Sequence, residues 1–586
     1  HRDGSYDPPV ACAPDQTCDP NNGCIVCVPD QPYCSATGQE VLQCNSSGTG
    51  GTHVKDCPAD AVCSGGDCKT PCDAALDHPS NVGCEFWAVD LDNEAFTLNG
   101  ITNNAASAQF AIVAANNNDY PVTVTITKNG ARVGAPLSEL AVASASVPPH
   151  TASRIDLPQR EVDGSMGQNG TYTQNSGTGT FVSPHAFHVV TSAPVVVYQF
   201  NPIIQQFSND ASTLIPIQAL GMDYVVIGYP TANPCGDPNF QIESIPDHSS
   251  VTIVASEDDT TVTVIPTHPI AASGGDSGMV IPRTARGDTL TLHLSRYTVV
   301  NLESDQPTSD IFACINSGQN GDFTGTEVRS DKPVVVFTSG ERGAGFGGAD
   351  NVVYPPDWDP MTDDVCCTDH LEEQLFPVTA LGREFAVARS PLRSTDATGW
   401  KEPDIVRVLA TVDNTHVTTN LPAPNNAFVL MAKQQKSFAA TAGFTLSSDQ
   451  AVEVAQYLVS QHFVKHGYIG DPSQLLIPAA EQHRKDYVFL IPATFQANYI
   501  VFAKPVDAMV VLDGSPLATQ EQSGCVTAPI GTIQGTVYEQ VTCPAHEGHH
   551  IATANKPFGL SVYGYYNVGS YAFVGGSDVK IINPIL

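Results

Sequence analysis

From about residue 84 to the end of the chain, apolar and polar positions alternate in short runs broken by Asn, Asp, Gly and Pro. A period of two predicts half-buried strands, because successive side chains point to opposite faces of a sheet. Four segments look like hairpins. Phe110-Ala-Ile-Val-Ala-Ala meets Val122-Thr-Val-Thr-Ile across an Asn/Asp turn, and Val251-Thr-Ile-Val-Ala meets Thr261-Val-Thr-Val-Ile across Ser256-Glu-Asp-Asp. Val406-Arg-Val-Leu-Ala meets Val417-Thr-Thr across Asp413-Asn, and Tyr499-Ile-Val-Phe meets Met509-Val-Val-Leu with Pro505 in the turn.

Two further landmarks recur with these segments. A polar turn opens a hydrophobic strand at Ser192-Ala-Pro-Val-Val-Val-Tyr, Ser330-Asp-Lys-Pro-Val-Val-Val-Phe, Ser448-Asp-Gln-Ala-Val-Glu-Val and Asn555-Lys-Pro-Phe-Gly-Leu-Ser-Val-Tyr. Pro lacks the N–H that a ladder needs, so it suits a strand's start. Leu214-Ile-Pro, Leu375-Phe-Pro and Leu476-Ile-Pro each precede an aromatic residue: Tyr224, Phe385 and Tyr487. The drifting spacing is too loose for a short solenoid repeat and fits domain-sized units. The expected organisation is an all-β chain of four tandem β-sandwich-like units, 84–207, 208–365, 366–470 and 471–586, after a small disulfide-rich module at 1–83. A β-propeller with two four-stranded blades per unit is the alternative. Helix is scarce; Asp369 to Gln374 reads as one short turn or helix.

Cysteines set the module apart. Of 17, eleven fall in the first 84 residues: Cys12, Cys18, Cys24, Cys27, Cys34, Cys44, Cys57, Cys63, Cys68, Cys72 and Cys84. Such density with almost no apolar periodicity describes a region held by crosslinks, in an oxidising compartment. Zinc is the rival reading, but Cys24-Ile-Val-Cys27 has no second CxxC or His pair at ligand spacing. Cys12-Ala-Pro-Asp-Gln-Thr-Cys18 echoes Cys57-Pro-Ala-Asp-Ala-Val-Cys63, each followed by a third Cys, Cys24 or Cys68. Farther on, Cys525 and Cys543 flank one hairpin-like segment and are expected to bridge it; adjacent Cys366 and Cys367 are expected to face different partners, with Cys235 and Cys314 as candidates. An odd count in the head leaves one thiol free, paired with the body or paired with another chain. The chain starts at His1, which reads as a processed form.

Composition narrows the function. With 26 Lys and Arg against 61 Asp and Glu the formal charge is −35, so nucleic acid and anionic membrane surfaces are poor partners. No run approaches the length of a transmembrane helix.

Several stretches together resemble the N-terminal domain of the IgGFc-binding protein family. They are Gly83-Cys-Glu-Phe-Trp-Ala-Val-Asp-Leu-Asp-Asn93, Ser-Asn-Asp-Ala-Ser-Thr-Leu-Ile-Pro at 208–216, Ser330-Asp-Lys-Pro-Val-Val-Val, Cys366-Cys-Thr-Asp-His-Leu-Glu-Glu-Gln-Leu and Lys556-Pro-Phe-Gly-Leu-Ser-Val-Tyr-Gly-Tyr. The resemblance spans roughly 84–580 and implies an extracellular or cell-surface, adhesive or matrix protein. The head resembles modules that precede such domains in secreted or lipid-anchored bacterial proteins, so an upstream lipid anchor is one of the two arrangements the resemblance allows. The mucus protein of the family continues into von Willebrand D-type domains, which are missing here, and no residue is assigned to Fc binding.

Three motifs bear on chemistry. His546-Glu-Gly-His-His550 fits HExxH, whose zinc-protease chemistry needs both His on one helix face; Pro544, Gly548 and the strand-like Ile551-Ala-Thr-Ala argue instead for a loop. Gly340-Glu-Arg-Gly-Ala-Gly-Phe-Gly-Gly348 lacks the following helix of a nucleotide loop. Acidic loops are the stronger lead. Asp90, Asp92 and Asn93, then Glu257, Asp258 and Asp259, then Asp357, Asp359, Asp363 and Asp364 place hard oxygen donors close together, as Ca²⁺ requires. The bland reading is a solvated acidic surface. Asn45-Ser-Ser and Asn169-Gly-Thr fit the glycosylation pattern. The expected role is non-catalytic: a structural or adhesive protein that self-associates through strand edges, or a Ca²⁺-dependent module binding extracellular proteins or glycans, with no cofactor required. A zinc hydrolase is the third option.

Overall fold

The computed structural model describes residues 12, 17–19 and 23–584, apart from 99–100, 169–170, 172–178, 205–206, 236–245, 307–309, 319, 344–348, 360–362, 364–366, 396–397, 465–468 and 520–523. Asp364, Cys366, Asn169 and part of the Gly-rich run therefore lie outside the described residues. The chain divides into two compact units, His1–Pro79 and Ser80–Leu586.

Among its described residues the first unit has three small sheets, the largest formed by Pro32–Cys34, Glu40–Cys44 and Gly51–Asp56. Among the described residues its buried apolar side chains are few, Ile25, Val41 and Ala74 beside Cys27 and Cys44, so crosslinks replace a core. Bonds join Cys12 to Cys24, Cys27 to Cys44, Cys34 to Cys63 and Cys57 to Cys68. The two echoing segments thus pair alike, first Cys to third. Cys72 and Cys84 are also in disulfides.

Among the described residues the second unit is nearly all-β, with four large antiparallel sheets of seven, eight, seven and eight strands and a two-stranded one, Ala95–Leu98 with Ile101–Asn104. One long strand organises each sheet: Phe187–Asn201, Glu327–Gly340, Phe444–Tyr457 and Gly548–Tyr566. Its two halves have different neighbours. Residues 187–191 pair with Val122–Asn129, and residues 196–200 with Ala111–Asn116. The second sheet repeats this with Thr260–Ile265 and Ser249–Ala255, the third with Thr415–Thr419 and Asp404–Ala410, and the fourth with Val510–Leu512 and Ala497–Pro505.

The four expected hairpins are therefore not hairpins. Both strands of each form, but they pair with opposite halves of the long strand, and the polar turn carries the chain from one layer to the other. Alternation reports which residues are buried, and it is blind to which strand lies alongside. The motifs expected to open strands sit inside the long strands, at the point where ladder partners change. There Thr191, Ser330 and Ser448 each donate a hydroxyl hydrogen bond to the carbonyl two residues on, at 2.8, 2.6 and 2.6 Å. A strand that bends from one layer into the other makes the corner of a sandwich. In each sheet the two halves of the long strand carry the two layers, and sandwich-like units fit this arrangement.

Each Leu-Ile-Pro or Leu-Phe-Pro leads into a single turn of 3-10 helix, Ile217–Ala219, Val378–Ala380 or Ala480–Gln482. The aromatic residue that follows locks the corner. Tyr224 Oη accepts from Gly221 N–H at 2.9 Å and donates to the Val334 carbonyl at 2.8 Å. Tyr487 does the same with Arg484 N–H and the Phe558 carbonyl.

The cores link the sheets in a cycle. Phe110, Ile112 and Ala114 face the first sheet's own core, while Ala111, Val113 and Ala115 pack into that of the fourth. Val335 and Phe337 of the second sheet enter the core of the first, and Ile405, Leu409 and Tyr457 of the third enter that of the second. Val501, Tyr563 and Tyr565 of the fourth meet Leu458 and Leu475 of the third. First and fourth sheets are also clasped at Asn81, whose N–H donates to the Ser577 carbonyl at 3.0 Å and whose Oδ1 accepts from Ser577 N–H at 3.1 Å. Gly576 (φ +143°) permits this approach, since a Cβ there would lie 2.3 Å from Asn81 Nδ2.

Other departures from expectation are local. Asp369 to Gln374 is neither turn nor helix: Leu371–Gln374 is a strand. Its Glu372, Glu373 and Gln374 are polar because they lie at a polar junction between sheets, so the apolar alternation that marks a strand is missing. Cys235 and Cys314 bond to each other, which removes them as partners for Cys366 and Cys367. Cys525 and Cys543 are bonded.

Candidate functional site

Four short strands line the inside of the cycle: Asp210–Thr213, Leu371–Gln374, Gln474–Leu476 and Gly569–Val574. Each touches the next, and the last touches the first. They meet at Asp210, which is fully buried. Its Oδ1 accepts from Ala211 N–H at 3.0 Å, Ser473 Oγ at 2.6 Å and Ala572 N–H at 3.4 Å. Its Oδ2 accepts from Glu372 N–H at 3.2 Å and Gln474 N–H at 3.0 Å. One carboxyl group thus binds all four inner strands. Around it, Asp369 accepts from Asn209 and Ser570 N–H, and Glu373 accepts from Ser212 Oγ and Leu476 N–H. Burial holds Asp210, Asp369, Glu372 and Glu373 well above the ordinary carboxyl range. His370 is buried beside them and burial depresses it to about 3, so it is neutral.

A second buried acidic group lies where the first and second sheets meet. Asp92, Glu161 and Asp163 each place a carboxylate oxygen within 4.8 Å of the others. Asp92 follows the strand Gly83–Ala88, and Glu161 and Asp163 follow Thr151–Asp156. Gly164 turns the chain beside them at φ +103°. Glu303, at the end of strand Val299–Glu303, meets the Asp92 carboxyl. Glu341, just past the second long strand, adds its charge to the group.

This group is poorly supplied with donors. Glu161 accepts from Asn93 N–H at 3.0 Å and Ser165 Oγ at 2.8 Å, and Asp163 Oδ1 from Ser165 N–H at 2.9 Å. Glu303 Oε1 accepts from Asn301 Nδ2 at 3.2 Å, its carboxyl is also met by Gly179 N–H, and Glu341 accepts from His248 N–H at 2.5 Å. Asp163 Oδ2 and Glu303 Oε2 have no hydrogen-bond partner although both are buried. The neighbouring guanidinium of Arg342 is held at 2.6 Å by both Glu94 and Asp247. Burial, followed by the neighbouring carboxylates, pushes Asp92 well above its usual range; burial also lifts Glu303 to about 7.

The acidic loops singled out in the sequence part company here. Asp92 enters the buried group. Asp90 accepts from Arg160 N–H at 2.7 Å, and the Asn93 side chain bonds the carbonyls of Asn201 and Ser208. Glu257, Asp258 and Asp259 are exposed on the turn between two layers, where Asp258 accepts from Arg296 N–H at 3.0 Å. Asp357 and Asp359 are exposed as well, and Asp363 accepts from Asp359 N–H at 2.6 Å. Sequence reasoning missed Glu161, Asp163, Glu303 and Glu341. Glu161-Val-Asp163-Gly164 carried a usable signal, two acids on one side of an alternating stretch before a turn glycine.

His546 and Glu547 lie between strands Thr536–Ala545 and Gly548–Tyr566, and His550 is in the latter. His550 Nε2 bonds the His546 carbonyl at 2.9 Å and Nδ1 bonds Asp513 at 2.7 Å, so both ring nitrogens are engaged. The motif thus lacks the helix its zinc chemistry requires. In the same sheet a cleft of about 870 Å³ opens between Val506, Met509, Leu517 and Val541. Met509 and Val506 at its rim are 69% and 50% exposed. No helix among the described residues is long and apolar enough to cross a membrane.

The sequence model of the family described as IgGFc binding protein matches residues 210–564, from the innermost strand of the first sheet into the long strand of the fourth. No curated protein matches. Among solved structures, Escherichia coli alpha-2-macroglobulin activated by porcine elastase aligns at 11% identity over 84% of this chain and 43% of its own, with a TM-score of 0.10, which carries no argument about fold.

Proposed function

Because the chain belongs to the IgGFc-binding protein family, we propose that it works outside the cell as a non-catalytic structural and binding protein whose partners are extracellular proteins or glycans. The carrying observation is the cleft between Val506 and Met509, an open apolar concavity on a rigid, crosslinked sheet. Exposed apolar surface of this kind suits the side chains of a macromolecular partner. The disulfides support an oxidising, extracellular setting. The exposed edge strand Glu139–Val147 supports self-association, because an open edge offers unpaired backbone groups to another strand.

The test is direct binding: the intact chain against immobilised IgG Fc, a panel of extracellular matrix proteins and a glycan array, with light scattering across a concentration series. Binding weakened by Met509→Asp supports the cleft. A blank on every surface together with a strict monomer at high concentration sinks the reading.

A further inference from the structure

We propose that Asp92, Glu161, Asp163 and Glu303 form a buried binding site for one hard divalent cation, with Ca²⁺ the fitting ion. Ca²⁺ sits about 2.3–2.6 Å from its oxygens, so two ligands across one ion are at most roughly 5 Å apart. The oxygens of Asp92, Glu161 and Asp163 meet that limit, all lying within 4.8 Å of one another. The donor set is oxygen only, which suits Ca²⁺ and argues against zinc or copper. Four carboxylates with bidentate capacity suit the larger ion better than Mg²⁺, which retains its waters reluctant to be stripped.

Proximity of acids alone would not make a site. Glu303 supplies the independent observation. It arrives from a different sheet, is 1% exposed, touches Asp92 and leaves Oε2 without a donor. Asp163, also 1% exposed, leaves Oδ2 bare in the same place. Buried carboxylate oxygens without partners are costly, and the guanidinium of Arg342 is already engaged by Glu94 and Asp247. A cation between the four groups resolves each of these features at once. Glu341, backed by His248 N–H, stands behind them as a further negative charge. Such an ion would tie the segments 92 and 161–163 of the first sheet to 303 of the second.

The experiment uses the full chain, stripped with EGTA and returned to Ca²⁺ or Mg²⁺. Elemental analysis before stripping is expected to find one Ca²⁺ per chain, and saturating Ca²⁺ is expected to raise Tm by about 3–5 °C. Asp163→Asn and Glu303→Gln should each weaken Ca²⁺ at least about tenfold while the stripped protein stays folded. Glu453→Gln, a buried carboxyl in the third sheet, should keep the full Ca²⁺ response. Absence of bound Ca²⁺ with no thermal shift at millimolar Ca²⁺ overturns the site, as does an unaltered Ca²⁺ response in both site variants. An equal shift with Mg²⁺ at the same concentration overturns the choice of ion.

Discussion

The protein buries acidic groups in two places and treats them in opposite ways. At the centre of the cycle Asp210 collects five hydrogen bonds from four strands. Between the first and second sheets, the carboxylates of Asp163 and Glu303 each keep one buried oxygen with no donor. Both groups are out of water, so burial alone does not distinguish a structural acid from a binding one. The supply of donors does. A carboxyl surrounded by N–H groups is an organiser of backbone, whereas one facing other carboxyls invites a cation.

The sharpest way to break this contrast is Asp210→Ala. Four strands would lose a shared acceptor and several buried N–H groups would be left unpaired, so a loss of about 4 kcal/mol or more is expected in guanidinium unfolding. A loss below about 1 kcal/mol would show that the inner strands hold without it. Next in size is Tyr224→Phe, which removes the corner hydroxyl and should cost about 1–2 kcal/mol in the same assay. Phe385 occupies the matching place in the third sheet with no hydroxyl, so Phe385→Leu should respond only through packing, without an equivalent polar loss. Asp163→Asn in Ca²⁺-free buffer should change stability by less than about 1 kcal/mol or raise it, because it replaces a buried carboxylate that keeps one oxygen without a donor while the amide oxygen can still accept from Ser165. A large loss there would place Asp163 with the organisers.

The smallest effect concerns pH. Glu453 is buried with neither carboxyl oxygen partnered, and burial alone holds it well above the ordinary range. A raised acid keeps its proton in the folded state when the unfolded chain has released it. Its stabilising contribution is full below the unfolded value of about 4.3 and declines as pH rises towards the folded value. Glu453→Gln removes that decline, so Tm measured in EGTA should differ less between pH 5 and pH 8 than in the parent chain. An equal or larger difference would count against Glu453 as a source of the pH dependence.

Much of this fold was legible in the pattern of apolar positions. The strands from Val122, Val251, Val406 and Tyr499 fall where alternation puts them, and their burial follows. Pairing was not legible, because Val251–Ala255 and Thr260–Ile265 alternate in the same way whether they pair with each other or with the halves of Glu327–Gly340. The inner strands were hidden for the opposite reason. Asp210-Ala-Ser-Thr shows no apolar alternation and Leu371-Glu-Glu-Gln reads as a turn or helix, and only a junction filled with polar side chains makes them strands. These stretches carried the family resemblance without disclosing their role. For the acidic group, Asp92 was within reach of sequence reasoning, since neighbouring carboxylates mark a loop. Glu303 was out of reach, because its place depends on which sheet packs on which.

The clasp between Asn81 and Ser577 bears on mechanics. It brings the two ends of the larger unit side by side, so tension applied at those ends loads the seam between first and fourth sheets before it loads any sheet internally. The hydrogen bonds between Asn81 and Ser577, backed by the packing of Val113 and Tyr198 against the fourth sheet, then resist the opening of the cycle. With force applied in single-molecule pulling between Ser80 and residue 584, that seam is expected to open before any of the four sheets unravels, and a sheet unravelling first would count against it.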